Sequence, residues 1–238
     1  MAQTVLGTTL ILLAVAIAGI SYYAALTPVG VGIGALFQDA AKSSTATASG
    51  NDPLKTAASG RVDFEGTRAE SNTGALFPRV RSFSVGRDMS LIGVGVRKKA
   101  ILNVYSVGLY GAKQAVRAVE SKAGEYARCH AFMDEKLKAS RAAVLQFNMG
   151  VSAEKMADAL SAVEGPSQEI KDTFMAMIVK GISGKVAKGE EMTIEWKGNN
   201  SVVLTVRRVV VGEIKDKALF QGLLNIYLGQ KSVSPSLK

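Results

Sequence analysis

The chemistry this sequence could carry begins at Arg97. It follows two glycine steps in GVGVRKK and precedes an apolar run, AILNVYSVGLYG, that holds Tyr105 and Tyr110. A guanidinium presents a planar fork of donors that can grip a carboxylate through two parallel bonds. A phenol nearby adds a further donor without a second charge to desolvate. Pointed into an apolar interior, such an arginine needs an anion, because an unpaired buried cation is costly. The same residue also reads as a partner for an internal carboxylate, or as a surface cation beside Lys98 and Lys99.

Other chemistries find less support. Cys129 and His130 are the sole cysteine and the sole histidine. As sequence neighbours they point about 100° apart on a helix, or to opposite faces of a strand, so they make a poor nucleophilic pair. A single cysteine excludes an intramolecular disulfide and a zinc site built from several cysteines, and no metal or cofactor is expected. The glycines before Arg97 lack the strand–loop–helix context of a dinucleotide site, since a strand follows them, and GISGKVAKG lacks Walker A spacing. The net charge of +9 suits an acidic partner such as an anionic membrane or ligand. Basic residues are interleaved with acidic ones, however, and the 6 % aromatic content shows no stacking pattern. No nucleic-acid partner is expected.

The elements that must position Arg97 are legible as apolar runs between turn residues. Strands are predicted over 79–86, 89–97 and 100–111, then a helix over 112–129 and another strand over 141–150. Ser152 is placed to cap a helix in SAEKMADAL, with Glu154 in its first turn. A longer helix follows over 168–182. MTIEWKG and NSVVLTVRR flank a hairpin turn at Gly198-Asn199-Asn200, and VVVGEI continues the sheet. DKALFQGLLNIYLG reads as a final helix capped by Asp216. Strands in two groups, with helices between and after them, predict an α+β fold with an antiparallel sheet covered on one face by helices.

Ahead of this lies a different kind of chain. Charged side chains are absent before Asp39, and Val5 to Leu26 is almost wholly apolar. As a helix that stretch spans roughly 33 Å, enough to cross a hydrocarbon core, with Tyr22 and Tyr23 near one end. Residues 1–38 therefore read as a single membrane anchor or a cleaved targeting signal, with a buried helix as the third option. Residues 39–74, rich in Ser, Thr, Ala and Gly, read as a flexible linker, and 75–238 as the folded domain.

Two blocks of the sequence carry a resemblance. GVGVRKKAILNVYSVGLYGA resembles the chalcone isomerase superfamily, in which a glycine-flanked arginine precedes a strand of the form VYxxGxY. At the other end, ALFQGLLNIYLGQKSVSPSLK is similar to that family's terminal helix and VSPxLK tail. The resemblance implies an open-faced β-sandwich, in which an antiparallel sheet and a helical layer enclose an apolar cleft.

That family holds both isomerases and non-catalytic relatives that bind fatty acids in plastids, so the site positions decide. Where the isomerases have a threonine that positions a water, this chain has Tyr105. The tyrosine and asparagine that isomerases present from the helix after Ser152 are missing, and the last helix carries Ile226 and Tyr227 where they have Ser or Thr beside Met. The pattern resembles the fatty-acid-binding branch. It implies Arg97 and Tyr105 as headgroup ligands, with Met156, Leu160, Phe174, Met177, Ile178, Ile226 and Tyr227 around the tail, although the Met/Phe stripe also reads as ordinary core. The expected function is non-catalytic binding of a fatty acid or similar amphipathic carboxylate. An intramolecular lyase and a scaffold with a vestigial cleft are the alternatives.

Overall fold

The computed structural model describes residues 66–238. The apolar stretch expected as an anchor or signal, and most of the expected linker, lie outside those residues. Within them the chain forms β1 (Thr67–Ala69), β2 (Leu76–Pro78), β3 (Val80–Phe83), β4 (Gly86–Lys99), β5 (Leu102–Gly111), α1 (Lys113–Glu120), α2 (Glu125–Met133), β6 (Arg141–Phe147), β7 (Val151–Ser152), α3 (Ala153–Ser161), α4 (Gln168–Ile182), β8 (Lys185–Val186), β9 (Glu191–Lys197), β10 (Ser201–Val206), β11 (Val209–Lys215) and α5 (Lys217–Leu228), with a last 3-10 turn at Pro235–Leu237. Among the described residues no helix is long and apolar enough to cross a membrane.

Seven of the strands make one antiparallel sheet in the order β11-β10-β9-β6-β5-β4-β3. Period-two alternation along the central strands sends Tyr105, Val107, Leu109, Leu145, Phe147, Ile194, Trp196 and Leu204 to one face. There they meet Leu160, Phe174 and Ile178 from α3 and α4, and Leu223 and Tyr227 from α5. Burying each such side chain contributes about 1.5–3 kcal/mol, so this layer dominates the stability of the domain. The opposite face holds a smaller cluster of Phe77, Met89, Tyr110, Ala142 and Val144, where Tyr110 Oη donates to the Pro78 carbonyl at 2.9 Å. The α+β sheet-and-helix arrangement is the one expected from the order of elements.

Local signals mostly fall where the residue types require. Ser152 Oγ accepts from Lys155 N at 3.3 Å and Asp216 Oδ1 from Leu219 N at 2.6 Å, each capping its helix as expected. The helix expected over 112–129 is instead two, α1 and α2, because Gly124 at φ +84° takes the chain into a conformation no helix allows. Ordered structure also begins ahead of Ala75. β1 pairs with β2, and the Glu70 carboxylate between them accepts from Asn72 N at 3.0 Å, Asn72 Nδ2 at 2.9 Å and Thr73 Oγ1 at 2.9 Å. Polar composition suggested a tether there, but these side chains satisfy a tight turn.

The two sequence blocks from opposite ends of the chain touch. A Cβ at Gly95 would lie 2.6 Å from Leu237 N, and one at Gly93 would lie 2.9 Å from Leu237 O, so only glycine lets the C-terminal tail lie on β4. The contact is tied by Val96 N donating to Ser236 Oγ at 3.1 Å. Replacing Gly95 with Ala forces backbone against backbone. It should lower unfolding stability by about 1–3 kcal/mol and free the tail for carboxypeptidase digestion. An unchanged melting midpoint and an uncut tail would contradict this packing.

Candidate functional site

Arg97 and Tyr105 are cross-strand partners in the β4–β5 register, and Tyr105 is in turn the partner of Phe147 on β6. Side chains of directly opposed residues project to the same face, so the pairing itself brings guanidinium and phenol together. The register slips immediately after Arg97, a bulge of the kind that re-aims a side chain at the end of a ladder. Arg97 Nη1 donates to Tyr105 Oη at 3.2 Å, and the guanidinium carbon lies 5.6 Å from the Tyr105 ring centroid. Tyr105 is held from behind by an edge contact with Phe147 at 5.9 Å between centroids.

Tyr227 reaches this pair from α5. Its hydroxyl is fully buried and makes no hydrogen bond of sound geometry among the described residues, although it lies near enough to Tyr105 to feel that hydroxyl. Burial pushes its pKa well above the usual phenol value, the Tyr105 neighbour adds to this, and Arg97 opposes it. Tyr227 therefore stays a neutral donor. Burial works against the Arg97 charge, but the Tyr105 and Tyr227 hydroxyls outweigh it and the guanidinium pKa moves up. Among the described residues no carboxylate forms an ion pair with Arg97.

Arg141 shows what a structural cation looks like in the same fold. It is fully buried beside the rings of Phe132 and Phe220 and donates to the carbonyls of Ala139, Asp134 and Leu137 at 3.1, 2.8 and 3.0 Å. Burial lowers its pKa to about 10, against a smaller upward pull from Asp134. Arg141 spends both its Nη groups on loop carbonyls, whereas among the described residues Arg97 has one hydroxyl acceptor and donors to spare.

Arg97 and Tyr105 form one end of a cavity of about 500 Å³. Its apolar wall is Leu102, Val104, Met149, Val151, Met156 and Ala159, and Lys99, Lys155 and Asp158 stand at its rim. Arg97 also borders a second cavity of about 510 Å³ on its other flank, against Val233, Pro235 and Ser236 of the tail. A more enclosed cavity of about 350 Å³ lies under Ile92, Leu109 and Phe132, and neither Arg97 nor Tyr105 lines it.

Of the residues expected around a tail, Met156 lines the Arg97 cavity. Leu160, Phe174 and Ile178 are completely buried in the core with Tyr105 and do not reach it; Ile226 and Met177 pack against that core, partly buried. Arg97 consequently stands at the mouth of the apolar space and not at its blind end, because the core side chains fill the interior behind Tyr105. Leu102, Val104, Met149 and Ala159 were not singled out from the sequence. Two of them carried a signal: Ala159 is three residues from Met156 on the same helix face, and Met149 lies just past the apolar strand run RAAVLQF.

The family model described as chalcone isomerase-like matches residues 70–238, and the chain belongs to that family. A crystal structure of a fatty-acid binding protein from Arabidopsis thaliana, AtFAP1, shares the fold with a TM-score of 0.57 at 20 % sequence identity, over 71 % of this chain and 91 % of that one. Comparison with curated proteins finds no significant match.

The buried Tyr227 hydroxyl gives a direct check on the site. Since it makes no hydrogen bond of sound geometry among the described residues, Tyr227→Phe should leave the stability of the lipid-stripped chain unchanged, or raise it by up to about 1 kcal/mol. A loss of more than about 1 kcal/mol in urea denaturation would mean that the hydroxyl is hydrogen-bonded to the protein after all.

Proposed function

We propose that the protein is a non-catalytic carrier of a fatty acid or similar amphipathic carboxylate. The observation that carries this reading is a half-buried guanidinium with a buried phenol on one side, an apolar cavity in front, and no carboxylate paired with it among the described residues. Arg97 offers the carboxylate two parallel donors, and Tyr105, whose oxygen already accepts from Arg97, turns its own hydrogen toward the ligand. Neither group needs to change charge to bind. The acyl chain then lies along Val104, Met149 and Met156, and the flexible methionines conform to an irregular tail. A volume of about 500 Å³ falls within the range of small-molecule sites.

Family membership and the fatty-acid binding title of the Arabidopsis structure support the reading, and so do the substituted positions. Ring closure would need a positioned water or general acid, and this chain puts Tyr105, Ile226 and Tyr227 where isomerases hold their threonine and selectivity residues. The apolar stretch from Val5 to Leu26 acts in this proposal as a membrane tether, which shortens the path of a cargo that partitions into bilayers.

The test uses the full-length chain stripped of lipid, with displacement of a fluorescent fatty acid as the readout. Arg97→Ala should weaken binding about tenfold or more, the loss expected when a charge-assisted bidentate contact is removed. The methyl ester of the same acid should bind the parent protein as weakly as the acid binds Arg97→Ala, and should not weaken further in that variant. Equal affinity of parent and variant for the free acid would overturn the assignment.

A further inference from the structure

We infer that the end of the sheet around the β4–β5 turn is a docking surface for an anionic lipid bilayer, and that it sets the mouth of the Arg97 cavity against the membrane. This deepens the carrier reading and takes its purpose from it, but it stands on separate residues.

The tip of the hairpin is Lys98-Lys99-Ala100-Ile101-Leu102. Ile101 is 94 % exposed and Leu102 is 52 % exposed, which no packing need explains at a two-residue turn. The strand register places other exposed apolar groups at the same end. Lys99 pairs with Leu102, Tyr105 with Phe147, Gln146 with Glu191, Met192 with Val206, and Val206 with Val209. The β10–β11 turn with Val209 and Val210, and Met149 just past β6, therefore project from the end that carries Ile101.

The charges around these groups are mostly positive. Lys98, Lys99, Lys155, Lys185, Lys188 and Arg208 are all exposed. Arg207 at that end is engaged by Glu190 at 2.7 Å. The facing acids are Glu154 and Asp158 on α3, and Glu191, which is bound to Arg81 at 2.8 Å. Apolar side chains ringed by lysines suit a bilayer whose surface is negative, where each basic group adds about a fivefold gain in partitioning. Leu102, Met149, Lys99 and Lys155 also line the cavity, so the same residues that would enter the interface form the entrance for an acyl chain.

The full-length chain tests this directly, because the readout reports where the tip lies and not whether the protein is bound. In a Cys129→Ser background, Ile101→Cys and Arg87→Cys are each labelled with an environment-sensitive NBD dye. Arg87 is exposed in β4 near the β3–β4 turn, at the opposite end of the sheet, and serves as the reference. The proteins are reconstituted into vesicles that carry a lipid-borne quencher, made of phosphatidylcholine with or without phosphatidylglycerol. The label at 101 should shift to the blue and be quenched, more so with phosphatidylglycerol, while the label at 87 stays in water. Adding Lys98→Glu and Lys99→Glu should remove the dependence on phosphatidylglycerol. Equal quenching at 101 and 87, insertion indifferent to phosphatidylglycerol, or a label at 101 already shielded before lipid is added would each overturn the inference. The last result would mean that another part of the chain covers the tip. Lost tip insertion with intact fatty-acid affinity removes only the docking surface. Lost acid affinity with intact insertion removes the carrier reading and leaves the surface.

Discussion

The hydrogen bond from Arg97 to Tyr105 is the interaction on which the site turns. A guanidinium removed from part of its water must be compensated, and a neutral phenol does this only in part. Arg141, in the same domain, is compensated by three loop carbonyls and two aromatic faces. Among the described residues Arg97 has a single acceptor, and a cavity lies in front of it. The two arginines differ in the number of acceptors the described residues supply.

Several features of the fold exist to keep that arrangement in place. Gly93 and Gly95 let the tail lie on β4, which sets a wall of Val233, Pro235 and Ser236 on one flank of Arg97. The bulge that follows Arg97 shifts the β4–β5 register before the last two pairs, Lys98 with Asn103 and Lys99 with Leu102. Behind Tyr105 the core is solid, with Leu160, Phe174 and Ile178 packed against the sheet. A close-packed interior gives no room for an acyl chain in that direction. The apolar space therefore opens the other way, along β5, the end of β6 and α3 toward the hairpin tip, which puts its entrance close to Arg97 and Tyr105.

Much of this was legible in the sequence. Strands with Val, Ile and Tyr at alternate positions gave the sheet, capping residues Ser152 and Asp216 marked their helices, and the glycine-flanked arginine with VYSVGLY pointed to the strands that carry the Arg97–Tyr105 pair. The partnership of Arg97 with Tyr105 was less visible, because it depends on hairpin register, and a turn at Ala100 with φ +53° does not announce itself in composition. The lining of the cavity was hard to read for a related reason. A Met/Phe stripe on a helix shows that the face is buried, but not whether it faces a cavity or a core. The β1–β2 hairpin was hidden by polarity, since Glu70, Asn72 and Thr73 bond to one another and so order a stretch that reads as linker.

The central claim is that Arg97 holds a carboxylate in its ionised form. It is tested most directly by carbon NMR of a fatty acid labelled with carbon-13 at the carboxyl and bound to the full-length chain. Burial alone would raise the pKa of that group, while a guanidinium in contact lowers it, and at bonding distance the charge outweighs the burial. The account predicts a bound carboxyl that stays ionised well below the pKa of the same acid free in water, and returns toward that pKa in Arg97→Ala. A bound carboxyl that titrates at or above that value in the parent protein would contradict it.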